Sequence, residues 1–446
     1  MRYFANDKEN NAMPASPPPT TPAETRAFLL KLYETAVKAA HPASAVPPYL
    51  PEVPEGGRIL IVGAGKAAAA MAQATERHYI AKGQGDRITG FVTTRHGFKL
   101  PTEIIGVLEA GHPVPDQMSI DGARQAIELA ASAGPNDLVL ALMSGGASAL
   151  WSAPANGITF ADKQALTKQL LRCGARISEI NTVRKHISGI KGGKLAAATY
   201  PARLITLAIS DVPGDLPEAI GSGPTVADPT TLADARAVIE RYKLAIPDNV
   251  AAALANPANE TLKPGDPKLA NATYVMVAAP KASLAAAAEV AVAAGYDVVQ
   301  LGDSLEGEAR DVGAEQGKLA LAAKSRGERV AIMSGGELTV TVVGNGSGGP
   351  NQEYALGLAI ALGGAPGIAG LAGDTDGIDG GGGNADDPAG ALVLPDTLAR
   401  ATALDLNAAK FLANNDSTGF FRSLGDLVEC GPTQTNVNDF RVVLVE

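Results

Sequence analysis

The sequence is poor in cysteine and in aromatic residues. Among 446 residues it contains 2 Cys, 1 Trp, 9 Phe and 9 Tyr. The two cysteines, Cys173 and Cys430, provide neither a disulfide framework nor the paired spacing of a zinc site. A core with so few aromatic rings must consist of aliphatic and small side chains, as in sheets that helices cover on both faces.

Basic clusters and long apolar runs are also missing. The formal net charge is −10, and without a basic cluster we do not expect nucleic acid as a partner. No apolar run is long enough to cross a bilayer, and the opening residues, MRYFANDKENN, lack the apolar segment of a secretory signal. We therefore expect a cytoplasmic protein that has no membrane partner and acts on small molecules, as a monomer or a homodimer.

What the sequence does contain is a regular alternation of strands and helices, which is typical of α/β layers. The clearest strand, at 204–209, is apolar throughout and too short for a helix, so it is expected to be buried on both faces. A proline-rich tail at 1–22 is expected to be disordered. A second proline-rich segment at 255–270 is expected to link two domains, with a cleft between them.

The expected elements follow from the apolar periodicity. Strands are predicted at 58–62, 88–94, 104–109, 137–143, 204–209, 273–279, 297–301, 329–333, 338–343, 368–372 and 440–445. Helices are predicted at 22–40, from the turn at 63–66 to 79, from 119, and at 228–245, 282–294, 306–325 and from 351.

The first strand ends in a glycine turn, Gly63-Ala-Gly65-Lys66, which a helix follows. Such a turn places backbone N–H groups and the helix N-terminus near an anion, where Lys66 would add a positive charge. The alternative is a solvated lysine in the first turn of the helix. A dinucleotide site also needs an acidic residue at the end of the second strand, and that strand ends in TTR. This disfavours NAD, although Arg95 would suit the phosphate of NADP.

Two further strands end in the same Met-Ser-Gly-Gly sequence. Backbone turns of this kind bind phosphate or carboxylate groups, although most such turns carry no ligand. The candidate phosphate-binding residues in these turns are Ser144, Gly145, Gly146 and Ser148 in the first copy and Ser334, Gly335 and Gly336 in the second.

Carboxylates follow two other strands. Asp211 comes directly after the strand at 204–209, and Asp374, Asp376 and Asp379 lie in the glycine-rich loop GDTDGIDGGGG. Oxygen ligands of this kind suit Mg²⁺ shared with phosphate groups, which needs few protein ligands. The alternatives are a turn cap for Asp211 and a solvated acidic loop for the others.

A basic segment precedes the central strand. Its cations are Arg184, Lys185, Lys191 and Lys194, and one of them is expected to bind the carboxylate of an acid substrate. For at least two of the four, an exposed helix face is the simpler interpretation. His112, in the loop GHPVPD, is either a hydrogen-bonding residue of a rigid loop or a substrate contact.

Taken in order, a series of motifs closely resembles the glycerate 2-kinases that carry the leucine-rich "multi-organism fragment" C-terminal domain, a family often labelled hydroxypyruvate reductase. The motifs are GAGKA (63–67), EAGHPVPD (109–116), MSGGASAL (143–150), INTVRKHISGIKGGKLA (180–196), SDVPGD (210–215), GSGPTV (221–226), GGPNQE (348–353), AGDTDGIDG (372–380) and GPTQTNVND (431–439).

The resemblance implies an α/β fold with two three-layer domains. The first domain, at 23–260, would be Rossmann-like with a mainly parallel sheet. The second, at 270–446, would have a mixed sheet, and the active site would lie in the cleft between them. The implied reaction is the ATP- and Mg²⁺-dependent phosphorylation of D-glycerate at its 2-hydroxyl, which gives 2-phosphoglycerate and ADP.

The same resemblance implies roles for individual residues. Lys66 and Asp211 would be catalytic, and Asp211 would hold Mg²⁺ with Asp374 or Asp376, or act instead as the base. The implied nucleotide-binding residues are Gly63, Gly65, the two Ser-Gly-Gly turns with Ser148, and Asn351. The implied substrate-binding residues are Arg184, Lys191 and Glu353. Pro350 stands where family members often have arginine.

Two other functions remain open at this point. The first is an NAD(P)-dependent hydroxypyruvate reductase, against which the missing ribose-binding acid argues. The second is a non-catalytic sensor that binds a sugar-acid phosphate through its glycine turns.

Overall fold

The computed structural model describes residue 19, residues 21–380 and residues 384–446. The predicted tail at 1–22 therefore lies outside the described residues, apart from positions 19, 21 and 22. The described ranges contain two six-stranded sheets with helices on both sides. None of the helices in these ranges combines the length and the apolar character that crossing a bilayer requires.

The first sheet is parallel throughout. Its strands are β1 (Ile59–Ala64), β2 (Ile88–Arg95), β3 (Gly106–Ala110), β4 (Leu138–Met143), β5 (Arg203–Ile209) and β6 (Ala272–Ala278). They are ordered β3-β2-β1-β4-β5-β6, and every pair is parallel. This is the strand order of doubly wound dinucleotide-binding folds, so the Rossmann-like prediction is confirmed. The central strands β1 and β4 are buried along their whole length, as strands covered on both faces must be.

The second sheet is mixed, as predicted. Its strands are β7 (Asp297–Gln300), β8 (Val330–Ser334), β9 (Ile368–Asp374), β10 (Gly390–Val393), β11 (Leu427–Val428) and β12 (Asp439–Val445), ordered β11-β10-β9-β12-β8-β7. The last strand of the chain, β12, lies in the middle and runs antiparallel to both β8 and β9. Its residues are all buried, which explains the apolar sequence of this segment.

The helices separate most of the strands and cover the two sheets. In the first half they are α1 (Pro22–Ala39), α2 (Pro42–Ala45), α3 (Ala68–Ala81), α4 (Gln117–Ala131), α5 (Ala147–Leu150), α6 (Phe160–Arg172), α7 (Ile177–His186), α8 (Lys194–Thr199), α9 (Leu232–Arg241) and α10 (Asp248–Ala255). In the second half they are α11 (Pro280–Ala293), α12 (Ala309–Ser325), α13 (Pro350–Leu362), α14 (Thr397–Ala403), α15 (Ala408–Ala413) and α16 (Ser417–Leu424).

One predicted strand, at 338–343, is not formed. This segment has only an isolated bridge, between Thr339 and Glu308, and the side chains of Val342 and Val343 are exposed. Its β-branched residues have high strand propensity, but both neighbours of β8 are already provided by β7 and β12. Thr339 instead exchanges backbone hydrogen bonds with Gly307 and Ala309, and the N–H of Thr341 donates to the Glu308 carboxylate, so the segment pairs with the start of α12.

The two sheets do not divide the chain at the expected boundary. The strand β6 follows the proline-rich segment and was expected in the second domain, but it pairs with β5 and completes the first sheet. Conversely, α1 was expected in the first domain, but its apolar face packs in the core of the second sheet with Leu371 and Phe440. The apolar periodicity predicts β6 and α1 correctly as elements. Which sheet each of them joins depends on packing with residues distant in the chain.

We expect Leu32→Ala, at the buried face of α1, to destabilise the protein by about 2–5 kcal/mol, because it leaves a cavity in that core. Leu32 is fully buried, whereas its neighbour Lys31 is exposed. The control Lys31→Ala should change the free energy of unfolding by less than about 0.5 kcal/mol. Urea unfolding followed by circular dichroism would measure both changes, and equal values would contradict the packing of α1.

Candidate active site

The turn after β1 lies directly against the turn after β4. The backbone N–H of Lys66 donates to the carbonyl of Gly145 (2.8 Å), and the N–H of Ala67 donates to the hydroxyl of Ser144 (3.0 Å). A side chain at Gly65, where φ is 142°, would place a Cβ atom 2.0 Å from the Ser144 Oγ atom. The structure therefore brings together two of the predicted phosphate turns.

Gly63 contributes to the same close packing from within β1. A Cβ atom at this position would lie 2.5 Å from the backbone oxygen of Leu142 in β4. Because Gly63 has no side chain, the backbones of β1 and β4 can approach each other closely just before the turn. This gives Gly63 a packing function in the sheet.

Asp211 reaches the same place from the end of β5. Its Oδ2 atom accepts a hydrogen bond from the Asn436 side chain (2.8 Å). A Cβ atom added at Gly145 would lie 1.9 Å from that oxygen. Only glycine at position 145 leaves room for the carboxylate, so the approach of Asp211 explains this part of the Ser-Gly-Gly turn.

Lys66 carries the positive charge of the site and contacts the second half of the chain. Its Nζ atom lies 2.5 Å from Oδ2 of Asp376, and the side chains of the two residues are 16% and 1% exposed. Burial opposes the charge on Lys66, but the negative charges of Asp376 and Asp374 outweigh it and raise the lysine pKa. Lys66 is therefore protonated at neutral pH.

The negative charges near Lys66 come from three carboxylates. Asp211, Asp374 and Asp376 all act electrostatically on Lys66. Burial raises the pKa of Asp211, and burial together with repulsion from Asp376 raises that of Asp374 well above its usual range. Such a group of carboxylates, in which Asp376 is buried and Asp211 and Asp374 are half-buried, favours the binding of a cation.

The donor set fits Mg²⁺ that is shared with phosphate groups. All three side chains offer oxygen atoms, and Mg²⁺ in nucleotide sites takes only one or two protein carboxylates besides phosphates and water. Among the described residues, no three acidic, histidine or cysteine side chains form a ready-made metal cluster. The residues therefore fit a cation that arrives with its phosphates and do not form a closed protein cage.

Asp379 and Asn351 are committed to the start of α13. The Asp379 carboxylate accepts from the backbone N–H groups of Asn351 (2.9 Å) and Gln352 (2.8 Å), where the helix dipole favours negative charge. The side chain of Asn351 donates to Asp439 (2.6 Å) and is fully buried. The N-terminal N–H groups of α13 are therefore bound by the carboxylate of Asp379.

The second Ser-Gly-Gly turn is also filled from within. The buried guanidinium of Arg441 donates to the Ser334 hydroxyl (3.3 Å) and to the backbone oxygen of Gly335. The Gly335 N–H donates to Gly302 (2.9 Å), and a Cβ atom at Gly336 would meet the backbone of Leu305 at 2.2 Å. Despite their shared sequence, the two turns therefore have different surroundings.

Lys191 ties two glycine turns together. Its Nζ atom donates to the backbone oxygen (2.8 Å) and hydroxyl (2.9 Å) of Ser148 and to the backbone oxygen of Gly221 (3.2 Å). The residue is 2% exposed, and burial followed by the charges of Lys163 and Arg184 lowers its pKa well below the usual range. The ammonium group of Lys191 therefore already has protein acceptors, and the hydroxyl of Ser148 is hydrogen-bonded to Lys191 and Ser222.

Arg184 differs from its basic neighbours. It lies in the last turn of α7 and is half-buried, and burial lowers its pKa. Within the described ranges we find no hydrogen bond or ion pair from its guanidinium. The neighbouring lysines are engaged, since Lys185 pairs with Asp228 (3.3 Å) and Lys194 donates to Ser188 (2.6 Å). Arg184 is therefore the predicted substrate residue that has a free charge in this structure.

Glu353 is engaged in a buried ion pair. One carboxylate oxygen accepts from Nε of Arg310 (2.7 Å), and the other accepts from the Asn415 side chain (3.0 Å). The residue is 2% exposed. The structure thus places Glu353 in a network between α12, α13 and the segment before α16.

Three polar residues near the site were not predicted as site residues. Asn436 bonds to Asp211, Asp439 bonds to Asn351, and Glu337 follows the second Ser-Gly-Gly turn. Burial, followed by repulsion from Asp211 and Asp439, raises the pKa of Glu337. The signal was the polar segment TQTNVND, which precedes an apolar strand and contains two of these residues.

Two family models match the chain, one in each half. The model described as "Domain of unknown function (DUF4147)" matches residues 28–255, and the MOFRL family model matches residues 330–439. The first covers the Lys66 turn, the Ser144 turn and Asp211, and the second covers the acidic loop. The residues that meet in the site thus come from both matched segments.

Named relatives span nearly the whole chain. A Pyrococcus horikoshii protein named glycerate 2-kinase is 37% identical over 444 residues, which cover 95% of this chain and 98% of the relative. A crystal structure of glycerate kinase from Thermotoga maritima matches with a TM-score of 0.85 at 35% identity, covering 95% of this chain and 100% of the other. The chain belongs to the glycerate kinase family.

Relatives in the glycerate kinase family do not all carry the same name. An Agrobacterium vitis protein that is 49% identical over 426 residues, covering 94% of each chain, is named provisionally as a hydroxypyruvate reductase. The resemblance to the family, drawn above from sequence motifs, is confirmed.

If Glu353 is structural, Glu353→Gln should destabilise the protein by about 1–3 kcal/mol, because it weakens charged hydrogen bonds in a buried place. Glu315→Gln, on the exposed face of α12, is the matched control and should have little effect. Urea unfolding of Glu353→Gln, Arg310→Gln and the double variant would give a coupling energy of at least about 1 kcal/mol. Strictly additive effects would contradict the pairing.

Proposed function

We propose that the protein is an ATP- and Mg²⁺-dependent kinase that phosphorylates D-glycerate at its 2-hydroxyl, giving 2-phosphoglycerate and ADP. The observation that carries this proposal is the protonated Lys66, held at 2.5 Å from Asp376 and beside Asp211 at the meeting of two glycine turns. The names of the Pyrococcus horikoshii and Thermotoga maritima proteins support it. We place the reaction in the cytoplasm, where ATP is available.

Phosphoryl transfer needs positioning and neutralisation of charge more than it needs covalent chemistry. In our proposal the turns at 63–66 and 144–148 seat the phosphates of ATP through their backbone, between the ends of β1 and β4. Lys66 then stabilises the negative charge on the transferred group, and its ion pair with Asp376 orients it before ATP binds. Mg²⁺, held by Asp211 with Asp374 or Asp376, would supply further neutralisation when bound.

Arg184 is our candidate for the carboxylate of glycerate. Its guanidinium is the cation among the predicted substrate residues that has no partner in the described ranges, and a forked guanidinium matches a carboxylate. Lys191 supports the site indirectly in this proposal, because it holds Ser148 and Gly221 in place.

Pro350 leaves no cation at the position where the resemblance implies arginine. It occupies the first turn of α13. The nearby Arg441 is fully buried and bound to Asp439 (2.8 Å), so its charge is already balanced. Arg184 and Lys66 would therefore supply the positive charge for both substrates.

The reductase alternative finds less support in the site. A nicotinamide dinucleotide in this strand order needs an acidic residue at the end of β2 to bind the ribose. That strand ends in the buried residues Thr93, Thr94 and Arg95, and the Arg95 guanidinium lies 5.2 Å from the ring centre of Phe98. The non-catalytic sensor would leave Lys66 and the carboxylates around it without a chemical function.

Phosphorus NMR of a reaction containing the protein, D-glycerate, ATP and Mg²⁺ should show 2-phosphoglycerate. Lys66→Met should lower kcat by about 10²–10³, because it removes a charge from the transition state. Lys82→Met changes an exposed lysine just after the same helix, α3, and should leave the rate unchanged.

Other products would contradict this proposal in distinct ways. A 3-phosphoglycerate signal would keep the kinase and refute the choice of hydroxyl. Absence of any phosphorylated product, with NADH or NADPH oxidised by hydroxypyruvate, would establish the reductase instead. Ligand binding without turnover in the unchanged protein and in Lys66→Met alike would favour the sensor.

A titration with Mg²⁺ distinguishes the two roles open to Asp211. If it holds the metal, Asp211→Asn should raise the Mg²⁺ concentration that gives half of the maximal rate. If it is the base that takes the proton of the 2-hydroxyl, kcat at saturating Mg²⁺ should fall by about 10²–10⁴ with an unchanged Mg²⁺ requirement. Asp248→Asn, at an exposed position, is the control. An unchanged rate and requirement would exclude both roles.

A further inference from the structure

The ring of His112 lies against Gly146, the residue next to Gly145, which Asp211 approaches. His112 belongs to the loop that follows β3. A Cβ atom added at Gly146 would lie 3.0 Å from both Cδ2 and Nε2 of the imidazole and 3.4 Å from Cγ of Lys66. The missing side chain at position 146 thus makes room for His112 beside the catalytic lysine, as Gly145 makes room for Asp211.

The imidazole makes no hydrogen bond within the described ranges. Its Nδ1 atom is buried and has no partner there. Buried polar atoms are nearly always paired, so the unpaired Nδ1 atom at the edge of the site is available to pair with a ligand. His96 is the contrasting histidine of the same region, since it is exposed and its Nε2 atom pairs with Asp116 at 2.9 Å.

The charges around His112 define what it can bind. Burial and the positive charges of Lys66 and Arg95 lower its pKa to about 4, so the ring is neutral at physiological pH. A neutral imidazole offers one donor and one acceptor and no charge. An alcohol hydroxyl, which can donate and accept, matches it better than a phosphate or a carboxylate, which would go to Lys66 and Arg184.

We infer that His112 binds the hydroxyl of the three-carbon acid that does not receive the phosphoryl group, and that it is a specificity-determining residue. This inference rests on the proposed function. The reacting hydroxyl would lie at Asp211, against Gly145, and the second hydroxyl would lie at His112, against Gly146. The two neighbouring glycines would thereby place the two hydroxyls of one small substrate.

The test compares D-glycerate with D-lactate, the same acid without the 3-hydroxyl, in the unchanged protein and in His112→Phe. Phenylalanine keeps a ring against Gly146 but has no nitrogen atoms. We expect kcat/KM for D-glycerate to fall about tenfold to a hundredfold. The kcat/KM or inhibition constant of D-lactate should change less than about twofold, because D-lactate has no 3-hydroxyl to bond to the nitrogen atoms that the substitution removes. His112→Asn, which restores a neutral donor and acceptor, should recover part of the loss, and His96→Asn is the control.

An equal loss for both acids would overturn the inference, because it would mean that the ring only supports the turn. An unchanged preference for D-glycerate in His112→Phe would overturn it as well. If the unchanged protein phosphorylates no glycerate, the proposed function fails by itself. Calorimetric dissociation constants of the two acids for the same variants then decide the role of His112 separately, with the same expected difference.

Discussion

The ion pair between Lys66 and Asp376 is the contact on which the site depends. Lys66 follows β1 of the parallel sheet, and Asp376 follows β9 of the mixed sheet. The two residues are 310 positions apart in the chain. A lysine removed from water would lose its proton without this partner, because burial disfavours the charged form. The carboxylate keeps the cation at the point where the two halves of the chain meet.

The surrounding negative charge is costly in the free protein. Asp374 and Asp211 have raised pKa values because they are buried near other carboxylates, and one lysine does not balance them. Binding a divalent cation together with phosphates would relieve this repulsion. This arrangement explains how a chain with a net charge of −10 can serve an anionic substrate. Local cations and backbone donors matter there, and the overall charge does not.

Glycines determine how closely these groups approach one another. At Gly145 and Gly146 the space that a side chain would take is filled by Asp211 and by the ring of His112. The same sequence, Met-Ser-Gly-Gly, recurs before Glu337. There the guanidinium of Arg441 donates hydrogen bonds to Ser334 and Gly335 of the turn. The two equal sequences therefore lie against different side chains, because residues far along the chain decide what packs against each turn.

The sequence by itself determined the α/β class, most of the strands and the motifs that identify the family, since these depend on local periodicity and on contiguous residues. Tertiary structure alone decided that β6 joins the first sheet, that 338–343 pairs with the start of α12 and not with a strand, and that the buried Glu353 meets Arg310 in an ion pair. Each of these outcomes depends on a partner distant in the chain, whose position local propensity does not encode. Burial and neighbouring charge, which set the protonation of Lys66, likewise arise only when the chain is folded.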